Sequence, residues 1–284
     1  MDKVVLKRLE QISNTVRKDL IRMLGVARSG NLSSSLSIVE ILTILYWREM
    51  KIFPEEPNSP ERDRFVLSKG HGCPTLYGVL AHRGFFCREE LWNFSRLGTM
   101  LQGHPQYSIT PGIDATTGSL GMGPGIASGM ALALKDHPSS PWIYCLTGDG
   151  ELQTGSFWEA VLFSSQYSLG NLVIIVDLNG YQAEGSTESI ISLEPLYDKF
   201  DSFGWKVVTA DGHDFQDLER AFGEARKDRI NPSVILASTI PGKGISFIEK
   251  AGTCANRMIL TREQMDLALR ELSEGQTPCG GDSL

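Results

Sequence analysis

At 284 residues, with 41% apolar and 21% charged side chains, the chain has the length and composition of a globular protein able to bury a sizeable core. A net charge of −7 with no basic stripe excludes nucleic acid as an expected partner. No stretch reaches about 18 apolar residues and no signal-peptide core is visible, so no membrane association is expected. The five scattered cysteines form no C-x-x-C pair, which predicts free thiols in a cytoplasmic, reducing setting and neither disulfides nor a zinc site.

Leu6, Leu9, Ile12, Val16, Leu20, Leu24 and Ala27 recur at helical spacing and predict one amphipathic helix over 3–27, ended by Ser29-Gly30. Ser37, with Glu40 three residues on, reads as a capping box opening a second helix that turns Ile38, Ile41, Leu42 and Leu45 inward. A loop follows over 54–60. A short strand, Arg64 to Leu67, runs into Ser68-Lys69-Gly70-His71-Gly72, with a helix after it over 74–82. The Gly-rich segment 103–125 reads as an irregular surface or active-site loop.

Apolar runs at Trp142 to Leu146 and Leu172 to Val176 predict two strands, and 154–168 is long enough for a crossover helix that makes them parallel. Beyond them come a helix over 214–227 and a strand over 234–239 that ends at Pro241-Gly242-Lys243-Gly244. Thr261 with Gln264 forms a further capping box, opening a helix through Met265, Ala268, Leu269 and Leu272. With no repeat and no Pro/Ser-rich linker, the pattern predicts an α/β fold: a single domain over 1–273, a parallel sheet with helices on both faces, and a flexible tail over 274–284.

The chemistry concentrates at two strand ends. Gly148-Asp149-Gly150-Glu151 closes one, and Asp177-Leu178-Asn179-Gly180 closes the next, so Asp149 and Asn179 are expected side by side where α/β sheets bind ligands. A carboxylate, an amide oxygen and a loop carbonyl suit Mg²⁺, and glycines let the backbone turn sharply and approach a diphosphate. A lone G-D-G also occurs as a plain strand-to-loop turn; the second polar strand end is what favours a metal-bridged diphosphate.

Taken with Arg62 to Gly72, Gln102-Gly103-His104-Pro105, Thr117-Gly118-Ser119-Leu120-Gly121, Phe203-Gly204-Trp205 and Asp211-Gly212-His213-Asp214, the two clusters resemble the transketolase family, in order, over roughly 10–250. Only the amino-terminal, thiamine diphosphate-binding half of a full transketolase is matched. The resemblance implies the thiamine diphosphate-binding fold, with thiamine diphosphate and Mg²⁺ as cofactors. It implies that Asp149 and Asn179 bind the metal through side-chain oxygens and Tyr181 through its carbonyl. Ser34, His71, Gly118, Ser119, Leu120, Asp149, Gly150, Glu151 and Asn179 are implied to hold the cofactor, and His71 and His104 to serve catalysis, His104 by bonding the donor's C1 hydroxyl. His82, His137 and His213 lack such placement and read as structural.

In that family a two-carbon ketol unit passes from a ketose to an aldehyde, and the carboxylate that activates the cofactor comes from a second, pyrimidine-binding domain. The chain ends before such a domain, so it resembles the small subunit of a split transketolase, expected to need a second polypeptide in an α2β2 assembly. Sugars or sugar phosphates are the implied substrates. The chain departs from the pattern at Asn31, where the family has a histidine, at Pro241, at Met122, at Thr154, and around Cys254-Ala255-Asn256-Arg257, where a histidine is absent. These changes point to a specialised substrate, with Lys243, Asn256 or Arg257 as candidates for the lost polar contacts. Two other readings stand beside it: thiamine-dependent acyl transfer from a 2-oxo acid, and a non-catalytic assembly subunit whose site has decayed. An Mg²⁺-binding phosphatase requires the matching segments to be coincidence.

Overall fold

Five parallel strands form one sheet in the computed structural model, which describes residues 1–28 and 30–274. In chain order the strands are β1 (Arg64–Leu67), β2 (Ile143–Gly148), β3 (Leu172–Leu178), the two-residue hairpin strands β4 (Tyr181–Gln182) and β5 (Gly185–Ser186), β6 (Lys206–Asp211) and β7 (Ser233–Ser238). The sheet order is β1-β2-β3-β7-β6, with β4 and β5 paired apart from it. Ser29, part of the expected helix stop, and the expected flexible tail beyond Glu274 lie outside the described residues.

Strands covered on both faces read as unbroken apolar runs, and alternate residues go to opposite sides. Tyr144, Leu146, Val173 and Ile175 enter one core with α1 (Lys3–Ala27), α2 (Leu32–Leu36), α3 (Val39–Ile44) and α4 (Cys73–His82). Ile143, Cys145, Leu172, Ile174 and Val176 enter the other with α5 (Gly123–Leu134) and α6 (Gly155–Gln166). Helix α6 is the crossover between β2 and β3, and the register sets Gly148 opposite Asp177. Both polar clusters therefore leave the sheet side by side, at the carboxyl ends of its strands.

Three elements differ from expectation. Ser37 does not cap a helix: its hydroxyl donates to the Ser34 carbonyl at 3.1 Å and to Asp177 Oδ2 at 2.9 Å, while Glu40 is held by Arg17 and His213. Buried partners claim both side chains, and the helix breaks into α2 and α3 around Ser37. The segment 103–125 is irregular only to Met122, because α5 begins at Gly123 with a proline in its first turn, where a missing N–H costs nothing. Strand β6 had no sequence assignment. The Thr261–Gln264 box does form, reciprocally, with bonds of 2.9 and 3.2 Å.

Cys73, Cys87, Cys145 and Cys254 are free thiols. Among the described residues, no helix is long and apolar enough to cross a membrane.

Candidate active site

Asp149 is the first residue after β2 and Asn179 the first after β3, so two neighbouring parallel strands deliver them to one place. Above them lies a cavity of about 350 Å³. Its walls are Asn31, Ser33 and Ser34 at the start of α2, Lys69 and His71 after β1, Gly148 to Glu151, Asn179, the hairpin residues Tyr181 to Ala183, and Leu120, Pro241, Asn256 and Arg257. Of the residues singled out from the sequence, Ser34, His71, Leu120, Asp149, Gly150, Glu151, Asn179 and Tyr181 line it. Gly118, Ser119 and His104 do not form its wall. The His104 ring instead lies over two glycines: a methyl group added at Gly70 or Gly118 would come within 3.0 Å of its Cδ2. Gly118, at φ 147°, also has a backbone conformation that side-chain-bearing residues rarely adopt.

Asp149 is buried, and its oxygens accept the Gly150 N–H at 2.8 Å and the Gly180 N–H at 2.6 Å. Burial, with the negative Asp177 beside it, pushes its carboxyl up to about 6 against these bonds. Asp177 behaves oppositely. Burial alone would raise it, but the Lys69 ammonium and the hydroxyls of Thr239 and Ser37 hold its carboxyl below the usual range. Lys69 is itself buried, and donates to Asp177 and, at 3.1 Å, to the Ser34 carbonyl. Neither Lys69 nor Asp177 was identified as a site residue from the sequence. Each stands inside a quoted motif, yet nothing in their spacing links residues 108 positions apart.

Glu151 lines the cavity with its carboxylate already engaged, by the Ser68 hydroxyl, the Gly121 N–H at 2.7 Å and the Gly148 N–H at 3.3 Å. It fastens the Gly121 turn to the end of β1 and β2. Burial raises its carboxyl. His71 is pushed down to about 3 by burial, with Lys69 and His104 adding repulsion, and so stands as a neutral imidazole.

The periphery is organised around Asn31 and Asn256. Asn31 has a left-handed backbone at φ 65° and donates its N–H to the Asn256 carbonyl at 2.8 Å. The Asn256 side-chain oxygen accepts the Ser33 hydroxyl at 2.8 Å and the Ser34 N–H at 3.0 Å. The two oxygens of Asn256 thus anchor α2, and a methyl group at Gly30 would sit 2.1 Å from its carbonyl oxygen. Arg257 reaches the cavity rim and faces Glu184 at 3.6 Å. Lys243 lines a separate surface hollow with His213. His213 bridges Glu40 and the Ile240 N–H, His82 bonds Asp19 and His137 bonds Ser139, all within the scaffold.

Among the described residues, no group of three or more His, Cys, Asp or Glu side chains is arranged to hold a metal. At the two strand ends the cavity is lined by the Asp149 carboxylate and the Asn179 amide, with the already engaged Glu151 beside them, an oxygen-rich set that fits Mg²⁺ shared with a phosphate ligand.

Over residues 9–258 the sequence matches the family profile described as "Transketolase, thiamine diphosphate binding domain". The 6-deoxy-6-sulfo-D-fructose transketolase subunit SqwG from a Clostridium species is 44% identical over 266 residues, covering 94% of this chain and 96% of that one. An apulose-4-phosphate transketolase subunit of Phocaeicola vulgatus is 38% identical, covering 94% of each chain. Among solved structures, transketolase from Leishmania mexicana superposes with a TM-score of 0.87 at 27% identity, over 93% of this chain and 41% of that one. Transketolase from Campylobacter jejuni gives 0.86 at 31% identity, over 96% and 43%. The chain thus spans nearly all of the subunit relatives and about two fifths of these solved transketolases.

Proposed function

The chain belongs to the transketolase family through its thiamine diphosphate-binding domain, and on that premise we propose that it is the cofactor-holding subunit of a two-component transketolase. The observation that carries this reading is the meeting of Asp149 and Asn179 at adjoining strand ends on one cavity. Residues 1–273 act as one unit. Asp149 and Asn179 hold Mg²⁺ by side-chain oxygens and Tyr181 by its carbonyl. Gly150 and the neutral His71 face the diphosphate; Ser34, Gly118, Ser119 and Leu120 border the cofactor, while Glu151 keeps the Gly121 turn in place.

Thiamine diphosphate, when bound, supplies the chemistry that breaks the C2–C3 bond of a ketose and carries two carbons to an aldehyde. His104 contributes a hydrogen bond to the donor's C1 hydroxyl, which favours ketol transfer over acyl transfer from a 2-oxo acid. The relatives named as subunits carry 6-deoxy-6-sulfo-D-fructose and apulose-4-phosphate in their names; an anionic sugar of comparable size is the proposed substrate class. Arg257, exposed at the rim and facing Glu184 at 3.6 Å, is the proposed cation for such a group.

The second component is a pyrimidine-binding subunit, in an α2β2 assembly working in the cytoplasm. Support comes from α5 and α6, which pack together over one core and on or beside which Met122, Leu132, Leu162, Phe163 and Tyr167 are exposed. Apolar surface of that kind marks an interaction face. A decayed assembly subunit would have no reason to keep the buried Lys69–Asp177 pair and the buried Asp149, since buried charge is costly without a task.

Calorimetric titration with thiamine diphosphate and Mg²⁺, on this chain alone and with the partner, tests the reading. Binding that Asp149→Asn weakens at least tenfold, with turnover of a ketose donor only when both chains are present, is the expected result. Turnover by the single chain would remove the partner requirement. Absence of binding in both states would sink the cofactor reading and leave the assembly role.

A further inference from the structure

Asp177 is wholly buried at the end of β3 and forms no part of the cavity wall, yet four side chains converge on it. Lys69 Nζ arrives from the end of β1, Ser37 Oγ from between α2 and α3 at 2.9 Å, Thr239 Oγ1 from the end of β7, and Asn179 Nδ2 from its own turn at 3.2 Å. The last of these bears on the cavity. An ionised carboxylate only accepts hydrogen bonds, so the end of the Asn179 amide that faces it must be the NH₂. The carbonyl end is then turned the other way, where Oδ1 accepts the Tyr181 N–H at 3.0 Å. Asn179 and Tyr181 both line the cavity.

An asparagine amide is nearly symmetric in shape and opposite in polarity at its two ends. Its oxygen attracts a cation and its NH₂ repels one. An amide free to rotate would present the wrong end part of the time. We propose that Asp177 is a positioning residue whose carboxylate fixes the Asn179 amide with its oxygen toward the divalent cation. Lys69, which also lines the cavity, and Ser37 and Thr239, which do not, hold Asp177 in turn, so the orientation of one metal-facing atom is set from three separate segments of the chain. Partners of this kind orient a ligand and raise affinity without touching the metal. The inference rests on the cofactor reading above, and its test separates the two.

Mn²⁺ binding to the full chain in the presence of thiamine diphosphate is counted by electron paramagnetic resonance. Asp177→Asn introduces a side chain that both donates and accepts, so it no longer dictates the amide; about 10- to 100-fold weaker Mn²⁺ binding is expected, with the circular dichroism unchanged. The exchanged pair, Asp177→Asn with Asn179→Asp, should regain most of the loss, because a carboxylate at 179 offers an oxygen whichever way it turns. Unaltered binding in Asp177→Asn, or equal loss in the exchanged pair, would overturn the proposal while leaving the cofactor reading intact. No binding by the wild-type chain, either alone or with the partner subunit, would overturn both. Should Asp177→Asn not fold, with Lys69 left unpaired, hydrogen exchange in the wild-type chain decides. The Asn179 side-chain NH₂ is expected to contain one slowly exchanging proton, and exchange of both at the rate of a solvated amide would overturn the proposal.

Discussion

A methyl group at Gly150 would stand 2.4 Å from the Cβ of Gln182 and 3.3 Å from its Cα. The glycine is therefore required by the β4–β5 hairpin folding down over the end of β2, as well as by any diphosphate lying against it. That hairpin carries Tyr181, whose carbonyl is the third proposed metal ligand. Gly150→Ala should push the hairpin outward at a cost of about 1–3 kcal/mol, the usual range for overpacking. In a melting experiment this is a drop of about 2–6 °C. The same variant should weaken Mg²⁺–thiamine diphosphate binding in calorimetry, since the displaced residue neighbours a ligand. An unchanged melting temperature would mean that the hairpin yields freely. At this scale the sequence reveals the need for glycine but not its cause, because Gln182 is 32 residues away and nothing local connects the two.

At the scale of elements, α5 shows why a helix can go unrecognised. Amphipathic periodicity is visible only when water covers one side of a helix. On α5 the outward positions are Gly125, Gly129, Leu132 and Ala133, preceded by Met122, and no charge appears before Lys135. A methyl group added at Gly125, Gly129 or, on α6, Gly155 would meet nothing within 4 Å. Together with exposed Leu162, Phe163 and Tyr167 on and just after α6, this is the surface expected of a face covered by another chain. Leu162→Glu should accordingly leave the single chain folded, because the side chain is solvent-exposed, and should reduce recovery of the two-component assembly in size-exclusion chromatography. Co-elution at wild-type yield would place the partner elsewhere. Other elements were legible for the converse reason. Strands β2 and β3 are covered on both faces and read as apolar runs, and the first helix reads through its buried Leu9, Val16, Leu20 and Leu24. β6, at the sheet edge with only Val208 and Ala210 buried, carries too weak a pattern. The Ser37–Glu40 pair matched a local rule that tertiary partners overrode. The strand-end motifs worked because each polar residue follows its strand directly; the Lys69–Asp177 pair did not, because it exists only once β1 and β3 share a sheet.

Across the whole molecule, the buried charges divide into two groups that oppose each other as pH changes. Glu40 in α3 is bonded by Arg17 of α1 and by His213, while Arg17 also donates to the Lys243 carbonyl at 3.0 Å, tying the first helices to the loops after β6 and β7. Burial would raise the Glu40 carboxyl, but Arg17 and His213 outweigh it and hold it at about 2. A carboxyl lowered in the folded state stabilises the fold above its ordinary 4.5, and that contribution is lost as pH falls from there toward 2. Asp149 has the reverse sign. Its carboxyl, raised to about 6 from 3.8, makes the folded chain bind a proton more tightly than the unfolded chain does, so its contribution declines as pH rises through that interval. The cation-free chain should therefore gain about 1 kcal/mol from Asp149 between pH 7 and pH 5 and lose stability again below about 4.5, where Glu40 takes up a proton in the unfolded chain while the folded pair still resists it. Urea unfolding of wild type and Asp149→Asn at each pH isolates the first part: the variant should be the flatter of the two between pH 7 and 5. Glu40→Gln, which leaves Arg17 without its counter-charge, should lower stability at pH 7 by about 3–5 kcal/mol and flatten the acid limb. Parallel wild-type and Asp149→Asn curves between pH 7 and 5 would mean that the strand-end carboxylate is not strained by burial, and that a bound cation has no such strain to relieve.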